Sequence, residues 1–110
     1  MPPPTSPPGS IAPVFAALGD ETRLALLSRL SDNGAQSIVE LTRGTGLTRQ
    51  GVSKHLVVLE RAGVVSRKRV GRESRYAVRA NALAEAVDYL ERASRQWDDA
   101  VERLRKFVED

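Results

Sequence analysis

The sequence predicts a mainly α chain of five helices with one small β-hairpin. Three observations carry this: apolar residues recur at spacings of three and four over most of residues 11–62 and 81–108, the period changes to two between Val64 and Val78, and glycines punctuate the junctions. A length of 110 residues with 41% hydrophobic and 28% charged side chains fits one small domain and leaves no room for a second core.

Met1 to Ser10 is proline-rich with almost no apolar content, so residues 1–10 read as a disordered tail and residues 11–110 as the folded domain. Ile11, Val14, Phe15 and Leu18 lie on one face of a first short helix, where Pro13 is tolerated in the opening turn. Gly19 ends it. Asp20 is a suitable N-cap for a second helix over Thr22 to Leu30, whose stripe is Leu24, Leu27 and Leu30, widened by Leu26. Ser31-Asp32-Asn33-Gly34 reads as a loop.

Ser37 with Glu40 three residues later is a capping box opening a third helix that ends near Gly44. After the turn Thr45-Gly46-Leu47, Thr48 caps a fourth helix running to about Ala62. At about 100° per residue, Val52, Leu56 and Leu59 share its buried stripe, while Gln50, Ser53, Lys54, Val57 and Arg61 gather on the opposite side. Two short helices joined by a glycine-containing turn, the second with a polar and basic outer face, form a helix-turn-helix. Gly51 costs roughly 1 kcal/mol relative to Ala in a helix, which points to a close approach by DNA or by the preceding helix, or to neutral drift.

Beyond Gly63, Val64, Val65 and Val70 on one side of Gly71-Arg72 and Tyr76, Ala77 and Val78 on the other give two strands of a hairpin. A final helix is expected from Asn81, as N-cap, over about 81–108. Its seam is Leu83, Val87, Leu90, Ser94, Trp97, Val101, Leu104 and Val108, alternately four and three residues apart. About 25 helical residues span close to 38 Å, longer than so small a core can cover. At roughly 1.5–3 kcal/mol per buried side chain the stripe is worth on the order of 10 kcal/mol per chain, enough to outweigh an entropic cost of association of roughly 4–15 kcal/mol over much of that range. The seam therefore calls for a second chain, either along its whole length or, with Leu83 to Leu90 packed on the first helix, from Trp97 onward.

The net charge of +3 conceals a strong asymmetry. Residues 49–79 hold Arg49, Lys54, Arg61, Arg67, Lys68, Arg69, Arg72, Arg75 and Arg79 against Glu60 and Glu73, a net of +7, between flanks of −1 and −3. Fourteen of the seventeen cations are Arg, whose planar fork suits phosphate and guanine, so a polyanion is the expected partner. Gln50 and Ser53, near the start of the fourth helix, are the candidates for base edges, with the alternative of ordinary solvated polar residues. Thr48, Arg49, Lys54 and Arg61 suit phosphates, with carboxylate pairing the alternative for Arg49. Arg67, Arg69, Arg72 and Arg75, with Lys68, are expected to meet the backbone or an adjacent minor groove. His55 reads as a structural histidine, Tyr76 as packing of the hairpin, and Trp97 as a dimer anchor.

Other chemistries have little to work with. The absence of cysteine excludes disulfides, thiolate metal sites, iron–sulfur clusters and cysteine nucleophiles. One histidine, no Gly-rich phosphate loop and no nucleophile–base pair argue against an enzyme, and no cofactor is expected. No apolar run approaches the roughly 18 residues of a membrane span, and the N-terminus lacks the pattern of a signal peptide, so no membrane partner and a cytoplasmic location are expected.

Ser53-Lys54-His55-Leu56-Val57-Val58-Leu59-Glu60-Arg61-Ala62-Gly63-Val64-Val65 resembles the S-x-H-L-x-x-L-x-x-A-G-x-V stretch of ArsR-type winged helix-turn-helix repressors. Phe15-Ala16-Ala17-Leu18-Gly19-Asp20-Glu21-Thr22-Arg23 is similar to that family's opening segment, and Arg69-Val70-Gly71-Arg72 with Tyr76 to its wing. The resemblance implies a homodimer through the first and last helices, an inverted-repeat DNA operator, a recognition helix at about 48–62 and a wing at about 64–78. On that reading the dimer surface comprises Val14, Phe15, Leu83, Val87, Leu90, Trp97, Val101, Leu104 and Val108. Many members release DNA on binding a metal. Here the family's cysteine-bearing segment corresponds to Ser37-Ile38-Val39-Glu40-Leu41, without a thiolate, and Asp88, Glu91, Asp98, Asp99 and Glu102 of the last helix have no histidine among them, so no metal site is expected and any effector is unidentified. The alternatives to a sequence-specific repressor are a winged-helix protein-interaction module and a nonspecific DNA-binding protein.

Overall fold

The computed structural model describes residues 11–109; the tail expected at 1–10 lies outside them. Five helices and three strands follow in the order α1 Ala12–Leu18, α2 Glu21–Asn33, β1 Gln36–Ser37, α3 Ile38–Thr42, α4 Arg49–Arg61, β2 Val65–Val70, β3 Glu73–Val78 and α5 Ala80–Glu109. The strands make one antiparallel sheet in the order β1-β3-β2. A single core, including Leu26, Leu41, Val52, Leu56, Leu59 and Val64, joins α2, α3, α4 and the base of the sheet. No helix among the described residues is long and apolar enough to cross a membrane.

The caps fall on the expected side chains. Asp20 accepts the Arg23 N–H at 3.0 Å, Ser37 Oγ accepts the Glu40 N–H at 3.2 Å, and Thr48 Oγ1 accepts the Gly51 N–H at 3.0 Å. Ser37 also donates to Glu40 Oε1 at 3.3 Å, which closes the capping box.

Four local expectations are corrected. Ser31, Asp32 and Asn33 belong to α2, not to a loop: Asn33 donates its side-chain amide to the Arg29 carbonyl at 3.0 Å, and the chain turns only at Gly34, φ 75. The third helix ends at Thr42, before Gly44. Ser37 is both a cap and half of β1, a strand too short to show a period. Asn81 lies inside α5, because the Arg79 carbonyl already accepts the Ala82 N–H at 3.1 Å.

At 30 residues α5 spans about 45 Å and leaves the domain behind. Its inner face is built from small residues. Ala82 and Ala86 are buried, and Tyr89 meets Phe15 of α1 with ring centroids 5.6 Å apart. Packing of Leu83 to Leu90 on the first helix is therefore corrected: only Leu83 is partly buried, while Val87 and Leu90 turn outward. The alanines let α5 approach its own domain closely and leave the leucine and valine seam in solvent.

Candidate nucleic-acid interface

The outer face of the domain is built from α3, the turn after it, α4 and the β2–β3 wing. Gly44 (φ 75) and Gly46 (φ 72) give the turn its left-handed steps. Thr45 braces it, donating to the Thr42 carbonyl at 2.7 Å and accepting the Leu47 N–H at 3.1 Å. Arg29 of α2 holds the end of α3: its guanidinium donates to the carbonyls of Leu41 at 2.8 Å, Arg43 at 2.7 Å and Glu40 at 3.1 Å. A cation there also opposes the negative end of the helix. The sequence carries no local signal for this role.

Pinned at its start by Thr48, α4 buries Val52, Leu56 and Leu59 completely and turns Arg49, Gln50, Lys54 and Arg61 to solvent, with Ser53 half-buried beside them. A Cβ at Gly51 would meet only the Thr48 hydroxyl, at 3.3 Å, so no preceding helix comes close there. Arg23 ties this helix to the opening segment. Its Nε donates to the Ala17 carbonyl at 2.6 Å, and its Nη1 lies 3.4 Å from His55 Nδ1. The Arg23 amide hydrogen bond to Asp20, aided by the Arg23 charge, holds that carboxyl below its ordinary value.

In the wing, Gly71 at φ 63 followed by Arg72 with no positive φ makes a two-residue turn of the type II′ pattern. The register sets Arg67 opposite Tyr76, Lys68 opposite Arg75 and Arg69 opposite Ser74. Tyr76 is buried in the core, as packing of the hairpin requires. Arg67 lies 3.5 Å from Glu60, bracing β2 against α4. Among the described residues, Arg49, Lys54, Arg61, Lys68, Arg69 and Arg72 form no ion pair, and all six are exposed. They give the outer surfaces of α4 and the wing an excess of unpaired positive charge.

Two expected site residues lie elsewhere. Arg75 points at carboxylates rather than outward, 3.3 Å from Glu40 and 3.7 Å from Glu73, so it leaves the set of free cations. Val14, expected on a dimer surface, is 4% exposed within the chain's own core. Phe15 is half-buried against Tyr89, and Val87, Leu90, Trp97, Val101, Leu104 and Val108 are between 50% and 74% exposed along α5. On the polar side of that helix, Asp88 pairs with Arg92 and Glu102 with Arg105.

This architecture has relatives. A helix-turn-helix domain family profile matches residues 18–67. The uncharacterised HTH-type transcriptional regulator YuzN of Bacillus subtilis is 43% identical over 65 residues, covering 54% of this chain and 71% of that protein. A probable mercury resistance operon repressor of Streptomyces lividans is 36% identical over 84 residues, covering 76% of this chain and 66% of its own. Among solved structures, an ArsR-like transcriptional regulator from Rhodococcus sp. RHA1 is similar with a TM-score of 0.76 and 36% identity, over 88% of this chain and 91% of that one. A homodimeric winged helix-turn-helix DNA-binding domain from Mycobacterium bovis shares the fold, with a TM-score of 0.63 at 24% identity, over 78% of this chain and 81% of that one. Two shared motifs, the fold and these similarities converge: the chain belongs to the ArsR family of winged helix-turn-helix transcriptional regulators, which bind DNA.

Proposed function

We propose that the protein is a homodimeric repressor that binds an inverted-repeat operator, reading bases through Gln50 and Ser53 of α4 and gripping phosphates through Thr48, Arg49, Lys54 and Arg61 with Arg67, Arg69 and Arg72 of the wing. The observation that carries this reading is that α4 and the wing present six exposed cations without carboxylate partners, beside a helix N-terminus with free amides. Gln50 is exposed on the first turn of α4, where a side chain reaches base edges when the helix lies in the major groove.

The exposed α5 seam supports dimerisation through a second copy, and the homodimeric state of the M. bovis domain agrees with it. Repression agrees with the S. lividans relative, a probable operon repressor. A thiolate-based metal response is not part of the proposal, because this chain has no cysteine. The working place of such a regulator is the cytoplasm, beside the chromosome.

The test is selection of a duplex from a random-sequence library, followed by footprinting with wild type and Gln50→Ala. The wild type should protect two half-sites about one helical turn apart. Gln50→Ala should keep its binding to random DNA and weaken roughly tenfold or more on the selected duplex, as expected when one bidentate base contact is removed. Equal weakening on both duplexes would assign Gln50 to a backbone contact, and no selected consensus would leave a nonspecific binder or a protein-interaction module.

A further inference from the structure

Glu40 and Arg75 lie outside the cationic face, yet they join the two parts of the reading head. Arg75 sits in the middle of β3, opposite Ser37 of β1 on one side and Lys68 of β2 on the other. Its Nη2 is 3.3 Å from Glu40 Oε1 and its Nη1 donates to the Ala35 carbonyl at 3.4 Å. The same Glu40 oxygen accepts the Ser37 hydroxyl at 3.3 Å. One carboxylate thus closes the capping box of α3 and fastens α3 to the central strand of the sheet.

Such fastening matters because α3 has only five residues. A helix that short has no stability of its own in water, so its place in the domain comes from its attachments. Arg29 holds its C-terminal carbonyls and Arg75, through Glu40, holds its first turn. The turn after α3 leads directly into α4, so the position of α3 relative to the sheet, together with the direct packing of α4 on β2 and the Arg67–Glu60 pair, sets the angle between recognition helix and wing.

We infer that Arg75 is a positioning residue for operator recognition: acting through Glu40, it fixes the angle between α4 and the wing so that both engage one DNA site, and it makes no phosphate contact itself. This rests on the DNA-reading function proposed above. The two roles for an arginine separate cleanly. A phosphate contact contributes about 0.9 to the slope of log affinity against log salt and acts alike on every sequence. A clamp leaves the slope alone and acts where helix and wing must fit one site together. Glu40 sharpens the contrast, since removal of a bystander carboxylate near a polyanion strengthens binding to any DNA.

The experiment compares wild type, Arg75→Ala, Glu40→Gln, the double variant and Arg72→Ala on the selected duplex and on a random duplex, each over a salt series, with thermal melts of every protein. Arg75→Ala and Glu40→Gln should each lower the selected-to-random ratio about tenfold with an unchanged slope, and the double variant should be no worse than Arg75→Ala. Arg72→Ala should flatten the slope while preserving the ratio. If Arg75→Ala instead flattens the slope and weakens both duplexes equally, or if Glu40→Gln tightens both with the ratio unchanged, the inference is overturned. Should Arg75→Ala fail to fold, Glu40→Gln decides the matter, because it is isosteric and keeps the cap. A wild type without preference for any duplex overturns the functional reading as well, a result visible before any variant is compared.

Discussion

Leu104 offers a quantitative test of dimerisation through α5. The residue is 61% exposed in the single chain, on the same seam as Trp97, Val101 and Val108. Full burial of a leucine side chain contributes about 2 kcal/mol, so covering the exposed fraction is worth about 1.2 kcal/mol. Two-fold symmetry counts the residue twice, so Leu104→Ala should cost about 2.4 kcal/mol per dimer, roughly a 50-fold rise in the dissociation constant. Alanine propagates a helix at least as well as leucine, so α5 itself should survive the change. Sedimentation equilibrium over a concentration series measures the constant directly, with circular dichroism as the check on helix content. An unchanged constant at unchanged helicity would refute the reasoning, because it would place Leu104 outside the contact between chains.

Three further perturbations address separate parts of the structure. Arg72→Ala, at the tip of the wing, should reduce the magnitude of the salt slope by about 0.9 for each phosphate it no longer neutralises, with similar weakening on selected and random DNA; a slope identical to wild type would remove Arg72 from the backbone-binding set. Arg29→Ala removes three guanidinium hydrogen bonds from the end of α3 and should lower stability by about 2–3 kcal/mol, or roughly 10 °C in melting temperature at fixed protein concentration; Arg29→Lys, with a single ammonium, should recover only part of the loss. Asp20, whose carboxyl is held below its ordinary value by the cap, contributes stability that is present above the unfolded value near pH 4 and is lost as pH falls through the folded one. Asp20→Asn keeps a competent cap and should flatten this part of the acid limb in pH-dependent melts.

The helix-turn-helix and wing were legible where periodicity and capping agree. In α4 the buried triplet Val52, Leu56 and Leu59, the Thr48 cap and the polar outer face all point to one helix, and the change of period at Val64 marks the wing without ambiguity. The inner face of α5 was not legible, because the alanines that pack it carry little hydropathy, and the larger seam residues that dominate the pattern face solvent. The end of α2 was obscured by Ser31, Asp32 and Asn33, whose loop-like composition is overridden by continuation of the helix to Gly34. Arg29 and Arg75 escaped for another reason. Their roles depend on partners 11 to 14 residues away for Arg29 and 35 to 40 for Arg75, a relation that charge counting cannot distinguish from a solvated or DNA-facing cation. Val14 shows the converse, an apolar position at a helix start that the chain's own core absorbs before any partner can use it.

The central claim is that α4 and the wing form one electrostatically driven, sequence-reading surface. The most direct measurement is the affinity of the wild-type protein for the selected duplex and for a random duplex as salt is varied. With half to all of the six unpaired cations on α4 and the wing of each protomer engaged, a dimer should show a slope of about −5 to −11 and favour the selected duplex by about a thousandfold or more. A shallow slope with equal affinity for both duplexes would contradict the account.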